Sequence, residues 1–410
     1  MWMRNANLKF MWLLSVFFLT FGCSPNGGSL NRASDSGMDP KRLSQLDVIM
    51  NEALAKKDFP GAVILVGRKD KIVFRKAYGD SQWVPERKPM TVSTIFDQAS
   101  ITKPMATAPS VMILAERGLL SLEDKVIKYV PEFSAYMDEN GKPGENARLW
   151  HLLTHTSGLP SYTDDPDAKD VEKIYGNPCP TELLVRHIAG MKKTDPPGKA
   201  FHYSCLGYIT LAHIIKIVSG QTVADFARDN IFKPLKMKHT FYTPDDKFKK
   251  LCAPTEMIDG QLLQGVVHDP LARLQGGISG NAGLFSTADD MAVFARMMLN
   301  KGEDKGTRIL STLAVERMTT VFPKAAFAGR GLGWDLDSAY ATNSGEIYGP
   351  ASYGHSGFTG TSIWIDPETS TYIIFNTNRV HPDDSDDNKE AILSWRAKVA
   401  NIVASSIQKK

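Results

Sequence analysis

Two polar residues at the head of an apolar run constrain this chain more than any other feature. In Phe96-Asp97-Gln98-Ala99-Ser100-Ile101-Thr102-Lys103-Pro104, Ser100 and Lys103 stand at i and i+3. The run Met105 to Leu114 follows, closed by Ala115-Glu116-Arg117-Gly118. It reads as a helix. If that helix starts near Ser100, the two side chains share one face and can touch. The positive end of the helix then points at the hydroxyl. A free serine hydroxyl is a poor nucleophile at neutral pH and needs a base or a cation beside it. A lysine shielded from water has a lowered pKa and can serve. Ser-x-x-Lys at a helix start is therefore a chemically sensible nucleophile pair. Roughly one or two such spacings arise by chance in a chain this long, so the remaining stretches must decide.

The 410 residues suffice for one large domain or two ordinary ones. Hydrophobic residues make up 42% and charged ones 23%, a globular balance, and the net charge is +3. No basic stripe suggests a nucleic-acid partner. Arg4 and Lys9 precede an apolar run, Phe10 to Phe21, ending at Gly22-Cys23. That is the layout of an export signal, too short for an ordinary membrane span. Residues 1–22 are expected to be the signal and 23–37 a Gly-, Ser- and Asn-rich tether, about 20 Å end to end. Leu19-Thr20-Phe21-Gly22-Cys23 resembles a bacterial lipoprotein cleavage site, which implies a lipid on Cys23. Cys179, Cys205 and Cys252 remain, an odd number, and sequence does not choose a pair. The cysteine spacings fit no zinc pattern and no His-Glu-x-x-His occurs, so neither a metal nor a cofactor is expected.

Asp39-Pro40 reads as a helix start, with Leu43, Leu46, Met50, Ala53 and Leu54 on one face. Gly61 to Gly67 and Lys71 to Tyr78 read as a hairpin turning at Arg68-Lys69-Asp70. Gly207 to Gly220 is an amphipathic helix, and Gly276 to Thr287 is a glycine-rich crossing back toward the sheet. Gly331 to Trp334 reads as a strand start. Ser352 to Ile365 and Thr371 to Asn376 read as two strands, and about Asn388 to Ile407 as a last helix. One antiparallel sheet with helices on both faces follows, with a helical block inserted at about 119–275. Residues 38–410 are read as one catalytic domain.

Ala99 to Pro104, with Glu116-Arg117-Gly118-Leu119-Leu120-Ser121-Leu122-Glu123-Asp124-Lys125-Val126, resembles the nucleophile region of the serine β-lactamase and penicillin-binding-protein family. It is nearest the branch of class C β-lactamases, D-alanyl-D-alanine carboxypeptidases and related esterases. Leu149 to Pro160 resembles another signature of that family, in which His151 and His155 would shape the helical region and move no proton. In Phe201-His202-Tyr203-Ser204-Cys205, Tyr203 matches the tyrosine of the family's Tyr-x-Asn, and Cys205 departs from its asparagine. A thiol is a weak donor and a weak acceptor, which puts recognition of a substrate amide in doubt. Tyr353-Gly354-His355-Ser356-Gly357-Phe358 resembles the His-x-Gly form of the third motif. By resemblance, Ser100 is the nucleophile, Lys103 and Tyr203 manage the proton, and His355 supports them. The backbone amides of Ser100 and Phe358 form the oxyanion hole. Gly357 lets substrate backbone approach the strand edge.

The resemblance implies an α/β fold of the α+β type: a five-stranded antiparallel sheet flanked by helices, with an inserted all-α region. It implies an exported serine hydrolase working through an acyl-enzyme on an ester, amide or peptide. Cell-wall material is the expected source, and the place is the periplasm or cell surface. A β-lactamase and a catalytically silent penicillin- or muropeptide-binding module are the alternatives. No Gly-x-Ser-x-Gly elbow is present, which disfavours an α/β-hydrolase.

Overall fold

The computed structural model describes residues 33–408. In chain order, the elements that carry the argument begin with helix α1, Gln45–Lys56, and strands β1, Gly61–Arg68, β2, Lys71–Gln82, β3, Lys88–Pro89, and β4, Phe96–Asp97. Helix α2, Ala108–Glu116, helix α3, Cys205–Ser219, strand β5, Phe241–Tyr242, strand β6, Leu284–Ser286, and helix α4, Ala288–Leu299, follow. Strands β7, Tyr353–Ser356, β8, Ser362–Asp366, and β9, Thr371–Thr377, precede the last helix α5, Asp386–Ser405.

The main sheet is antiparallel, with order β7-β8-β9-β1-β2-β3. It has six strands where five were expected, the extra one being the two-residue edge β3. Every residue of β1 is buried, because both faces of the sheet are covered. Alternation sorts its side chains between two cores. Val63 and Leu65 join the large core that holds α4, α2 and α3, while Ala62, Ile64 and Val66 join the smaller core with α1 and α5. Trp395 of α5 anchors the smaller core and donates from Nε1 to Asp58 Oδ2 at 2.7 Å. Asp39 caps the preceding turn of helix, accepting from the Lys41 amide at 2.8 Å.

Two strand readings change. Gly331 to Trp334 forms no strand: Gly333 sits at φ +87°, and its amide goes to Leu153 O rather than to a ladder. A Cβ there would lie 2.6 Å from Ala108 Cβ, so glycine lets this segment cross over α2. The stretch Ser352 to Ile365 is divided into β7 and β8 by the turn 357–361. The glycine-rich crossing does return to a sheet. Strand β6 lies between β4 and β5, and the Gln98 amide donates to Leu284 O at 2.8 Å. This small sheet brings β4, and Ser100 just after it, against the end of β7.

Candidate active site

The helix expected at Ser100 begins irregularly. Ala99–Ile101 is a 3₁₀ turn, Lys103–Thr107 a π turn, and the α-helix proper starts at Ala108. Pro104 lacks the amide of a regular ladder, and π turns of this kind occur often at functional sites. Ala99 sits at φ +45°, a left-handed conformation that side chains disfavour. The Asp97 carboxylate holds it there, accepting from the Ala99 amide at 2.8 Å and from the His268 amide at 2.7 Å. Burial pushes the Asp97 carboxyl upward, and those two amides oppose the shift. Sequence reasoning passed over Asp97, although an Asp bonding backbone two residues on is a known local pattern.

Lys103 is fully buried, and Nζ donates to Ser100 Oγ at 2.9 Å, Asn281 O at 3.1 Å and Cys205 Sγ at 3.7 Å. Burial opposes its charge, the neighbouring Cys205, Tyr203 and Asp269 favour it, and the net shift is upward. Burial pushes the Cys205 thiol itself up to about 12. At neutral pH that thiol is uncharged, so its share of the upward push is absent and Lys103 yields its proton more readily. Asn281 is held by Asp269, which accepts from its Nδ2 at 3.1 Å. Nothing local in the sequence marks Asn281 as a partner of Lys103.

Tyr203 immediately precedes the Ser204 cap of α3 and is 9% exposed. The Lys103 ammonium lies 5.1 Å from its ring centroid. His155 stacks on the ring at 4.4 Å, accepts from the Ser204 amide at 3.1 Å through Nδ1, and receives the His202 amide on its carbonyl at 3.0 Å. It clamps the backbone that carries Tyr203, a closer part than shaping the helical region. Burial, with Arg330 and Lys103 nearby, holds His155 well below the ordinary histidine range. His151 lies apart, accepting the Arg148 amide at 2.8 Å.

His355 is on β7, 6.0 Å from Tyr203 ring to ring. Its Nδ1 donates to Ser356 O at 2.8 Å, leaving Nε2 as a buried acceptor with no partner within the protein. Burial, and then the charges of Arg330 and Lys103, hold it well below the ordinary range, so it is neutral at pH 7. Arg330, overlooked in the sequence, is buried beneath these rings. Its guanidinium lies 5.6 Å from the Tyr203 ring and 3.3 Å from Asp335 Oδ2.

The turn 357–361 closes the other side. Thr359 Oγ1 donates to Asp97 O at 2.8 Å and Thr361 Oγ1 to Gln98 O at 3.3 Å. The buried Arg396 of α5 donates to Gly357 O and Thr361 O, both at 2.9 Å. A Cβ on Gly357 would meet Thr361 Oγ1 at 2.2 Å and Gln98 O at 2.5 Å. That glycine is thus required by the packing of the turn on Gln98, a structural demand beside the expected one. Among the described residues, the amides of Ser100 and Phe358 have no acceptor within the protein.

The structure therefore brings Ser100, Lys103, Tyr203, Cys205, His355 and the turn bearing Gly357 and Phe358 to one cleft. Cys23 lies outside the described residues. Cys179, Cys205 and Cys252 are buried free thiols. Among the described residues no helix is long and apolar enough to cross a membrane.

Such a cleft, between an antiparallel sheet and a helical block, defines a serine hydrolase of the β-lactamase type. Residues 46–394 match the Beta-lactamase family, and the chain belongs to it. It is 32% identical over 375 residues to the N-acetylmuramyl-L-alanine amidase of Bacillus subtilis (strain 168), covering 85% of this chain and 83% of that one. It is 28% identical over 409 residues, 92% of each chain, to the "Putative D-alanyl-D-alanine carboxypeptidase" of Escherichia coli (strain K12). The fold resembles that of EstCE1, a hydrolase with promiscuous acyltransferase activity, with TM-score 0.71 and 19% identity over 89% of this chain and 99% of that one.

Proposed function

We propose that this hydrolase works through an acyl-enzyme on Ser100, on ester or amide substrates derived from the cell wall. The observation that carries the reading is the Lys103 side chain, fully buried with Nζ 2.9 Å from Ser100 Oγ. With Lys103 as the neutral amine, Ser100 Oγ attacks the substrate carbonyl while its proton passes to Lys103 Nζ, beside the Tyr203 hydroxyl that relays it. The carbonyl oxygen becomes an oxyanion between the Ser100 and Phe358 amides. Collapse breaks the bond to the leaving oxygen or nitrogen, which takes the proton back through Tyr203. Water then attacks the acyl-enzyme, losing its proton to the same pair, and Ser100 recovers its hydrogen as the acid departs. Neutral His355 offers Nε2 as an acceptor to this relay and no charge to a substrate. That favours esters and amides without a carboxylate beside the scissile bond over β-lactams, which carry one.

The N-terminal signal and a lipid on Cys23 would tether the enzyme in the periplasm or at the cell surface, where muropeptide-like substrates occur. The amidase and carboxypeptidase names of the relatives support such a substrate. The test is turnover of p-nitrophenyl esters, D-amino-acid amides, muropeptides and nitrocefin, with fluorophosphonate labelling of the Ser100 peptide. Labelling with no turnover of any compound would replace this reading by a silent binding module. Mass spectrometry of the mature N-terminus should show a diacylglyceryl cysteine at Cys23, and a free N-terminus elsewhere in the tether removes the anchor.

A further inference from the structure

A side chain that protonates the departing atom lies within hydrogen-bond reach of it, so the groups beside Tyr203 line the leaving-group half of the cleft. Those groups are aromatic. The Tyr340 ring lies 5.1 Å from the Tyr203 ring, Phe201 is 6.1 Å from Tyr340, and Tyr162 meets Tyr203 edge-on at 5.9 Å. Tyr340 is 39% exposed, and Tyr162 and Phe201 are half-buried, so the rings reach the mouth. Their placement is built. The Tyr162 amide donates to Tyr203 O at 2.8 Å. The Tyr340 amide donates to Ser338 Oγ at 3.2 Å, and Ser338 Oγ to Asp335 Oδ1 at 2.7 Å. Asp335 exchanges two backbone bonds of 2.9 Å with Gly354, next to His355.

Charge is withheld from the same space. Lys103 is fully buried, and its Nζ is already engaged by Ser100, Asn281 and Cys205. The Arg330 side chain is 1% exposed and paired with Asp335. His355 is neutral. The exposed Lys389 lies on the sheet side, 5.9 Å from the Phe358 ring. Asp165 adds negative charge, felt at Cys205. Arg379, 4.6 Å from the Phe358 ring, is paired with Asp384. A free carboxylate entering here meets rings, and none of these buried cations is free to pair with it, so its desolvation goes uncompensated. We infer that the leaving group is a neutral, ring-bearing alcohol or amine, not an amino acid with a free carboxylate. Tyr340 is the residue that selects for the ring. The inference rests on the Ser100 acyl-enzyme reading and specifies its substrate.

One scaffold tests it. 2-Acetoxypropanoate, its N-methyl amide and its N-benzyl amide share an acetyl ester and differ in the group carried by the departing alcohol. Acetate release should favour the methyl amide over the free acid by about tenfold or more in kcat/KM, and the benzyl amide by about fivefold again. Tyr340→Ala should erase most of the benzyl advantage and leave the methyl amide within about twofold, and Tyr340→Phe should retain both preferences. A free acid turned over as well as the methyl amide, or a benzyl advantage that survives Tyr340→Ala, overturns the inference. Calorimetric binding to Ser100→Ala should follow the same order without chemistry. If that order holds while the wild type turns over none of the three, the acyl-enzyme reading fails and only a binding preference for neutral, ring-bearing groups beside Tyr203 stands. Equal binding of all three refutes the inference alone.

Discussion

The two walls of the cleft are built on opposite terms. On the sheet wall, Asp97, Thr359, Thr361 and Arg396 tie the turn 357–361 to the Ser100 segment, and the hydrogen bonds that do so are internal. Opposite, His155 Nε2 of the helical block is buried with no hydrogen-bond partner among the described residues; so are His355 Nε2 at the end of β7 and the guanidinium nitrogens of Arg330, whose partner is the Asp335 ion pair. Rings fill the space between them. A wall that stabilises an oxyanion must hold its donors in place before the charge forms. A wall that meets a variable leaving group needs area and few fixed polar demands, which aromatic rings supply.

The largest effects should fall where the two walls meet. Ser100→Ala and Lys103→Ala should each lower kcat/KM for an activated ester by about a thousandfold or more, and the double variant little further, because residues acting as one unit are not additive. Fluorophosphonate labelling that survives Ser100→Ala places the nucleophile elsewhere. Asp97→Ala loosens the sheet wall alone. Displacing reacting groups by about 1 Å costs about a hundredfold, and the loss should appear in kcat with KM kept. A changed KM and an intact kcat would mean that the Asp97 bonds hold substrate rather than the Ser100 turn.

Cys205→Asn probes the helical wall. The expected gain is about tenfold in the ratio of amide to ester turnover, equivalent to about 1.4 kcal/mol regained in the transition state. An unchanged ratio, with circular dichroism intact, means that position 205 does not face the substrate. The smallest effect on rate should come from pH. His155 and His355 are held neutral in the folded protein, while in the unfolded chain each protonates below about 6.5. Below that value the unfolded state binds more protons, so stability falls as pH falls, by up to about 1.4 kcal/mol per pH unit for each. Thermal midpoints should drop from pH 7 to pH 5. The kcat/KM profile should lack an inflection from His355 in that window, and one that His355→Gln removes would show that the imidazole titrates there after all.

Much of this was legible in the chain. The Ser100–Lys103 spacing, the apolar run after it and the motifs around Tyr203 and His355 are local patterns, and each ends up in the cleft. The buried sheet was legible because β1 and β9 are apolar or uncharged through most of their length. Where local reading failed, tertiary contacts had overridden it: Gly331 to Trp334 has strand-like residues, yet the chain crosses α2 so closely at Gly333 that an added Cβ would lie 2.6 Å from Ala108 Cβ.

What the sequence determined by itself is the identity and order of the groups gathered at the cleft, since Ser100, Lys103, Tyr203 and His355 are picked out by residue type and short spacing. The tertiary structure decided their electrostatics. Lys103 and Asn281 meet across 178 positions, and Arg396 and Gly357 across 39. His355 loses its charge because helices and sheet bury it near Arg330 and Lys103. Burial and through-space charge depend on three-dimensional distance, for which a linear chain carries no local signal. The roles of Arg330 and Tyr340 therefore emerged only once the chain was folded.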